Sequence, residues 1–299
     1  MSHLVTWARQ LRVHQWLKNL LLALPALASF SIFETTTLTK LVTAFFAFSF
    51  VASSVYVAND FLDLASDRIH PIKRSRPMAA GLVNPRFGLV VGALFLGFGL
   101  VLAFVVGQAF VASIMIYLVA NFLYSLWLKK EVLIDAILLA GLYTLRVIAG
   151  GLATGIEVSF WLLAFSVFFF FSIAWAKRYA ELEASRANGI ELAPGRGYSH
   201  RDMPIILAFG SAAAFTAVLI FALYLDSEEI REQYALPEIG WLAIPFLMLL
   251  IGRMWFKAHR GRLNEDPILF LIKDAPTLII LTVVAIALSI AHMGLPPWN

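Results

Sequence analysis

Long apolar runs, separated by short polar segments, recur along the whole chain. The runs are continuous, and each approaches the roughly 17–25 residues that an α-helix needs to cross a bilayer. The strands of a transmembrane β-barrel would instead alternate apolar and polar residues. The pattern therefore predicts an all-α, polytopic membrane protein with nine spans, at residues 17–33, 41–58, 87–107, 109–128, 132–153, 160–176, 203–225, 239–256 and 275–292.

Basic residues divide unevenly between the two sides of these spans. With the N-terminus in the cytoplasm, 20 of the 23 lysines and arginines fall in inside segments, Lys40 and Arg231 fall outside, and Arg146 lies within a span. Cytoplasmic loops carry such an excess, and one span more or fewer would destroy it. We therefore expect nine spans with a cytoplasmic N-terminus, forming a single domain over 1–299.

The first run allows a second interpretation. Arg9, Arg12 and Lys18 precede an apolar stretch, and the triplet 26–28, Ala-Leu-Ala, resembles a signal-peptidase site. The run continues to Phe33, as a span would, so the sequence favours a membrane helix over a cleaved signal peptide.

Composition narrows the class of protein further. Hydrophobic residues make up 61% of the 299 residues and charged residues 14%, against about half apolar in a soluble domain. There is no cysteine, which excludes disulfides, thiolate nucleophiles and cysteine-based metal sites. The net charge of +4 reflects the basic inside loops, so we expect a membrane and no nucleic acid as partner.

Three aspartates lie where the second predicted span ends. Asp60, Asp63 and Asp67 are spaced i, i+3, i+7 and share one helical stripe, with Asn59 at its edge. A bound cation would relieve the repulsion between these like charges. Oxygen ligands suit Mg²⁺, which usually takes one or two carboxylates with waters and substrate phosphates. These four residues are the candidate metal ligands, and a solvated acidic loop is the alternative.

A run of basic residues follows directly. It contains Arg68, Lys73, Arg74 and Arg76, with His70-Pro71 among them. Lysine and arginine bind phosphate oxygens through charge-assisted hydrogen bonds. Carboxylates that hold a metal, followed by these cations, therefore indicate a site for a polyanionic group such as a diphosphate, although some of the cations would also serve as membrane anchors.

The string from Asn59 to Asp67, Asn-Asp-x-x-Asp-x-x-x-Asp, resembles the first signature of the UbiA superfamily of intramembrane prenyltransferases. The similarity extends from residue 12 to residue 274 and includes Lys18, a candidate for substrate binding. The resemblance implies a nine-helix bundle whose active site opens to the cytoplasm. It also implies that the first signature binds Mg²⁺ and diphosphate, with Asp60 and Asp63 assisting catalysis.

Typical aromatic prenyltransferases of this superfamily carry a second Asp-rich signature after the sixth span, whereas residues 177–182 here read Lys-Arg-Tyr-Ala-Glu-Leu. This string, the segment 195–198 (Gly-Arg-Gly-Tyr) and the segments 265–267 and 273–274 resemble the branch of polyprenyl-phosphate phosphoribosyltransferases. The resemblance gives the candidate catalytic residues Lys177, Tyr179 and Glu181 and the candidate substrate-binding residues Arg178 and Tyr198.

The charge of the substrates favours the same branch. Phosphoribosyl pyrophosphate and a lipid phosphate bring several phosphate groups to the site, whereas an allylic diphosphate with an aromatic acceptor brings one polyanionic group. The former substrates need cations opposite the carboxylates, which Lys177 and Arg178 would supply. The plainer alternative is an i,i+4 ion pair between Lys177 and Glu181 beside an interfacial arginine.

One isolated charge, Arg146, falls inside the fifth predicted span. Ionisable residues within membrane helices usually serve function, so Arg146 is a candidate either for binding a substrate phosphate or for pairing with a carboxylate on another helix. Asp135 lies about 16 Å away along the same helix, too far to be that partner. We expect Asp135 to be an interfacial charge.

The sequence thus predicts a Mg²⁺-dependent integral-membrane transferase that moves 5-phosphoribose from phosphoribosyl pyrophosphate to a polyprenyl phosphate. Prenyl transfer from an allylic diphosphate to an aromatic or other acceptor is the alternative. A transporter or flippase would typically show internal repeats, and no convincing repeat is seen. We further expect a bacterial inner-membrane location, an active site facing the cytoplasm and a separate phosphatase as partner.

Overall fold

A computed structural model describes residues 3–69, 73–187, 197–263 and 266–294, and this part of the chain is almost entirely helical. The α-helices are α1 (His3–Gln10), α2 (Leu24–Ala28), α3 (Thr35–Leu62), α4 (Leu64–Ile69), α5 (Pro85–Val106), α6 (Gln108–Leu126), α7 (Ile134–Thr154), α8 (Phe160–Ala187), α9 (Met203–Leu225), α10 (Glu228–Gln233), α11 (Pro237–Gly240), α12 (Ala243–His259), α13 (Pro267–Lys273) and α14 (Ala275–Met293). The 3₁₀ helices are Val13–Ala23, Lys73–Ser75, Leu128–Lys130 and His200–Asp202.

Eight helical segments of the described chain are long and apolar enough to cross a membrane. They match the second to ninth predicted spans, so the all-α polytopic class is confirmed. The eight segments are Thr35–Leu62, Pro85–Val106, Gln108–Leu126, Ile134–Thr154, Phe160–Arg186, His200–Leu225, Pro237–His259 and Ala275–Met293. The nine-span count and the cytoplasmic N-terminus stay predictions.

The first predicted span, 17–33, is not one long α-helix. The chain forms an 11-residue 3₁₀ helix over Val13–Ala23 and passes, through right-handed helical backbone at Ala23 and Leu24, into the short helix α2. Runs of 3₁₀ helix longer than 3–4 residues are uncommon. Lys18 and Asn19 are buried within this one, so polar contacts rather than hydropathy govern its conformation.

Hydrogen bonds join the 3₁₀ helix to α3 in register. Asn19 Nδ2 donates to Ser49 Oγ (2.9 Å), Trp16 Nε1 donates to Ser53 Oγ (2.9 Å), and Ser53 Oγ donates to the carbonyl of Leu11 (2.7 Å). Three residues of 3₁₀ helix rise about 6 Å, and four residues of α-helix rise the same distance. The 3₁₀ winding therefore places residues 16 and 19 level with Ser53 and Ser49.

The described helices divide into two compact units. The N-terminal unit comprises 1–127 and 145–158, and in it α3 packs along α5. Its core contains Phe48, Val51, Phe110 and Tyr117, all nearly inaccessible to solvent. Small residues bring α3 and α5 close together, since a Cβ at Gly99 would lie 3.0 Å from the carbonyl oxygen of Ala47.

The C-terminal unit comprises 128–144 and 159–299, and in it α8 packs along α9 while α12 contacts α8, α9 and α14. Trp175 and Trp255 are buried in this unit, and the indole of Trp255 donates to Ser172 Oγ at 3.1 Å. Gly210 on α9 gives the two tryptophans their space, because a Cβ there would meet both side chains. The single domain over 1–299 stays a prediction.

Replacing Gly150 with alanine is expected to destabilise the N-terminal unit. A Cβ at Gly150 would lie 2.0 Å from the carbonyl oxygen of Leu22, and that backbone has to move, at a cost of about 1–3 kcal/mol in the free energy of unfolding. Gly141 on the same helix has no atom within 4 Å of its ideal Cβ. There alanine should stabilise by up to about 1 kcal/mol, because glycine is the poorer helix former. Thermal unfolding in detergent measures both variants, and a raised melting temperature for Gly150→Ala would contradict the packing described.

Candidate functional site

The carboxylate site lies in the N-terminal unit, where α3 ends and α4 begins. Asp60 and Asp67 are buried, with 2% of each residue exposed, whereas Asp63 at the junction of the two helices is half-buried. The backbone N–H of Asp63 still bonds to the carbonyl of Asn59, and that of Asp67 to the carbonyl of Asp63. Helical spacing is therefore nearly continuous through the motif, as the i, i+7 relation between Asp60 and Asp67 predicts.

Arg76 joins the two buried aspartates. Its Nη1 lies 3.1 Å from Asp60 Oδ1 and 2.7 Å from Asp67 Oδ2. Asp60 receives two more donors, Arg12 Nη2 at 2.6 Å from Oδ1 and Gln10 Nε2 at 3.1 Å from Oδ2. These charge-assisted hydrogen bonds offset the desolvation of the Asp60 carboxylate.

Arg12 reaches Asp60 from an unusual backbone conformation. Its φ is 50° and its ψ is 44°, which is the left-handed region and is rare for a residue with a side chain. The guanidinium also lies over the ring of Tyr56, 4.8 Å from the centroid. Strained backbone of this kind concentrates at functional sites, so the structure adds Arg12 and Gln10 to the candidate site.

The site fits a divalent cation held together with a phosphate-bearing substrate. In the described part of the chain no three histidine, aspartate or glutamate side chains are grouped closely enough to hold a metal by themselves. Oxygens of Asp60 and Asp67 nevertheless converge on one cationic atom, Arg76 Nη1. A metal ion at the position of Arg76 Nη1 would contact the carboxylates of Asp60 and Asp67. Mg²⁺ typically binds one or two carboxylates together with substrate phosphates. Asn59 and Asp63, both half-buried, stay predicted ligands.

The other predicted phosphate-binding cations differ in exposure. Arg68 and Arg74 are exposed and Lys73 is half-buried, whereas Lys18 is buried in the 3₁₀ helix, with 6% of the residue exposed. Arg74 and Lys73 share the short 3₁₀ turn that leads to Arg76. Their roles in binding phosphate stay predictions, and His70-Pro71 lies outside the described residues.

Arg146 is buried in the N-terminal unit among aromatic and neutral polar groups. Its Nε donates to Asn19 Oδ1 (3.0 Å) and its Nη2 to the hydroxyl of Tyr117 (3.4 Å). The guanidinium lies 5.1 Å from the ring centroid of Phe48 and 5.0 Å from that of Tyr117. These contacts tie α7 to the 3₁₀ helix, and phosphate binding by Arg146 stays a prediction.

The second predicted motif lies on α8 in the C-terminal unit. Arg178, with 1% of its side chain exposed, pairs with Glu181 one turn along the helix. Its Nε also lies 2.6 Å from Oδ2 of Asp135, which is completely buried. The expectation that Asp135 is an interfacial charge is therefore wrong, because packing places its carboxylate beside Arg178. Lys177 is half-buried, and its predicted ion pair with Glu181 stays a prediction.

Two tyrosines of the predicted site have defined partners in the same unit. A hydrogen bond of 2.9 Å joins the Tyr179 hydroxyl to Nδ1 of His259 on α12. Tyr198 is buried, and its hydroxyl accepts from the backbone N–H of Leu133 at 3.1 Å. Tyr198 therefore fixes the start of α7 close to Asp135. Gly195 and Arg196 of the same predicted segment lie outside the described residues.

A further charged cluster surrounds Asp274 at the start of α14. Its carboxylate accepts from Lys257 Nζ (2.6 Å), Arg253 Nη2 (2.9 Å) and the hydroxyl of Thr277 (2.8 Å). Burial by itself would raise the pKa of Asp274, but these hydrogen bonds outweigh it and hold the pKa below the usual range. Asp266 likewise caps α13 by accepting from the N–H of Ile268, and Glu265 lies outside the described residues.

Asp274 is expected to make stability depend on acid pH. A pKa that is lower in the folded than in the unfolded chain stabilises the fold above the unfolded pKa of about 3.9. This contribution is lost as the pH falls below that value towards the folded pKa. Urea unfolding in detergent between pH 6 and pH 3 should show a steeper loss for the wild type than for Asp274→Asn. Equal slopes for the two proteins would contradict the assigned hydrogen bonds.

The model of the UbiA prenyltransferase family matches residues 20–272. An uncharacterized protein y4nM of Sinorhizobium fredii is 33% identical over 286 residues, which are 95% of this chain but 55% of that protein. The chain thus spans about half the length of this relative. Nodulation protein NoeC of Azorhizobium caulinodans is 31% identical over 95% of this chain and 92% of its own length.

A third relative carries an enzymatic name. The decaprenyl-phosphate phosphoribosyltransferase of Corynebacterium glutamicum is 36% identical over 216 residues, covering 71% of this chain and 64% of that protein. Among solved structures, a UbiA homologue from Archaeoglobus fulgidus bound to GPP and Mg²⁺ aligns with a TM-score of 0.69 over 96% of this chain and 99% of its own. At 18% identity, that likeness concerns the fold.

Proposed function

Because this chain belongs to the UbiA prenyltransferase family, we propose that it is a membrane transferase that moves 5-phosphoribose from phosphoribosyl pyrophosphate to a polyprenyl phosphate. The observation that carries the proposal is the 36% identity to a decaprenyl-phosphate phosphoribosyltransferase over 71% of the chain. The second motif supports it, since residues 177–182 contain two cations in the region where typical aromatic prenyltransferases of the superfamily carry an Asp-rich signature.

In the proposed reaction, an oxygen of the lipid phosphate forms a bond to C1 of the ribose. The bond from C1 to the pyrophosphate oxygen breaks, and pyrophosphate leaves with the electron pair. Asp60 and Asp67 would hold Mg²⁺, with Asp63 and Asn59 as further ligands. When bound, the metal would stabilise the negative charge that develops on the leaving group.

The remaining charges of the carboxylate site would position the substrate. Arg76 and Arg12 contact the oxygens of Asp60 and would turn to the pyrophosphate oxygens when metal and substrate arrive. Both arginines are about one quarter exposed, so substrate reaches them from solvent. Lys18, Arg68, Lys73 and Arg74 would provide further positive charge, which draws a polyanion to the site.

No strong general base is required in this reaction. The attacking phosphate is already anionic near neutral pH, so Tyr179 and Glu181 would orient groups rather than remove a proton. Lys177, Arg178, Arg146 and Tyr198 stay proposed contributors to phosphate binding. The enzyme would act in a bacterial inner membrane, with its active site on the cytoplasmic side. A separate phosphatase would remove the 5-phosphate from the lipid product.

The proposal is tested with purified protein, Mg²⁺, a polyprenyl phosphate and phosphoribosyl pyrophosphate labelled in the ribose. A labelled lipid that fails to form with chelator is the expected result. A preparation that makes no such lipid, yet prenylates an aromatic acceptor from a prenyl diphosphate, would overturn the proposed substrates and establish prenyl transfer instead.

A further inference from the structure

We propose that a cavity between the ends of α8 and α9, within the C-terminal unit, binds the phosphate group of a lipid. The cavity has a volume of about 550 Å³, within the usual range for small-molecule sites. Its polar lining consists of Tyr179, Arg186, His200 and Arg201. Three of these four side chains lie outside the residues assigned above to the reaction.

Among the residues that the structure describes, the lining of the cavity contains two arginines and no carboxylate. Arg186 and Arg201 are exposed, and within the described ranges neither guanidinium makes an ion pair, although several other arginines do. The acidic residue beside Arg201 is engaged elsewhere, since Oδ2 of Asp202 accepts from both the backbone N–H and the hydroxyl of Ser199. Two guanidinium groups on one cavity favour a phosphate, which they bind with bidentate geometry.

The cavity lies at the ends of two candidate membrane helices, where the head groups of lipids are found. Arg186 is the last residue of one candidate span, and His200 and Arg201 are the first residues of the next. Arg201 therefore adjoins the apolar stretch 203–225, whereas Arg186 lies ten residues beyond the apolar stretch 160–176. Both arginines lie on the side that the charge distribution predicts to be cytoplasmic. Basic pockets between membrane helices at this depth are suited to anionic head groups.

The rest of the lining is apolar and lies on the first turns of α9. Met203 is buried, Pro204 is exposed and Leu207 is half-buried, and all three line the same cavity. One side of the cavity is thus lined by cationic side chains, and the other by an apolar surface on the first turns of α9. A ligand with a phosphate at one end and a hydrocarbon chain at the other fits both, whereas a free sugar phosphate leaves the apolar side uncovered.

The identity of the bound lipid rests on the proposed function, whereas the existence of the phosphate site does not. Tyr179 belongs both to the cavity and to the second motif, so a polyprenyl phosphate held here would carry its phosphate beside that motif. The same chemistry is present in an anionic phospholipid of the surrounding membrane. Binding measurements separate the two sources without requiring turnover.

The experiment compares three purified full-length proteins: wild type, Arg186→Gln/Arg201→Gln, and the control Arg260→Gln/Arg262→Gln. The control removes the same charge from two exposed arginines of the same unit that do not line the cavity. Binding of polyprenyl phosphate, phosphatidylglycerol and inorganic phosphate is measured by native mass spectrometry in detergent. Thermal unfolding of each protein verifies that the substitutions leave it folded.

The expected result is a loss of at least about tenfold in affinity for a phosphate-bearing lipid in the cavity variant, with no loss in the control. Preference for polyprenyl phosphate would identify the acceptor of the proposed reaction, and preference for phosphatidylglycerol would identify a membrane lipid. Equal lipid affinity in all three proteins would overturn the site. Weakened binding of inorganic phosphate alone would overturn the lipid assignment. If the lipid binds as expected but no labelled product forms, the proposed function fails while the site stands.

Discussion

Asp60→Asn is expected to lower the rate of phosphoribosyl transfer by about 10²–10³-fold. Asparagine keeps the size of the side chain but removes the charge on which Arg12, Arg76 and Gln10 converge. It also leaves Asp67 as the single buried carboxylate beside Arg76. The variant would then lack one ligand of the proposed Mg²⁺, and Arg12 and Arg76 would lose the carboxylate that positions them. The rate is measured with labelled phosphoribosyl pyrophosphate at saturating lipid.

A binding measurement separates loss of the site from loss of the fold. Mg²⁺ with pyrophosphate should raise the melting temperature of the wild type, because a ligand that binds only the folded protein stabilises it. The increase should vanish in Asp60→Asn. The matched control is Asp226→Asn, which removes an exposed carboxylate paired with Arg231 and should change neither the rate nor the increase. Full Mg²⁺-dependent turnover in Asp60→Asn would refute the assignment of this carboxylate.

Arg178→Met is expected to give the second large effect, a loss of about 3–5 kcal/mol in the free energy of unfolding. The substitution removes the guanidinium but keeps much of the apolar volume of the side chain. It leaves the completely buried carboxylate of Asp135 without its cationic neighbour at 2.6 Å. Glu181, which is more exposed, can turn to water and contributes less to the loss. Unfolding in mixed micelles with increasing denaturant measures the change.

Removing both charges should recover much of this stability. A buried ion pair replaced by well-packed apolar residues is often neutral or stabilising, because neither charge is then desolvated. Asp135→Leu/Arg178→Met is therefore expected to unfold at higher denaturant concentration than Arg178→Met alone. A double variant less stable than either single variant would show that the two residues do not act as a pair.

The spacing of Asp60, Asp63 and Asp67 made the carboxylate site predictable. Positions i and i+7 fall on one helical face, and the structure places Asp60 and Asp67 on a common cation, Arg76. The family similarity begins at Arg12, but no spacing in the sequence indicates that Arg12 contacts Asp60. It lies 48 residues from Asp60 and reaches it through a left-handed backbone conformation that non-glycine residues rarely adopt.

The contact between Asp135 and Arg178 could not be predicted from the hydropathy pattern. Hydropathy locates each residue near the end of a predicted span, but it carries no information about which helices are neighbours. The two side chains are 43 residues apart, and only packing within the C-terminal unit brings them together. The same limit applies to Val13–Ala23, because an apolar run does not reveal whether backbone bonds span three residues or four.

The 3₁₀ winding of Val13–Ala23 also limits which length changes the N-terminal segment can accept. A deletion or insertion of one residue would rotate every earlier side chain by about 120° about the helix axis. Gln10 and Arg12 would then no longer face Asp60. A change of three residues restores the phase, but it shifts the segment by about 6 Å, one turn along α3. Homologous sequences that keep the Asp60 contacts should therefore align through this segment without gaps, even where their other loops differ in length.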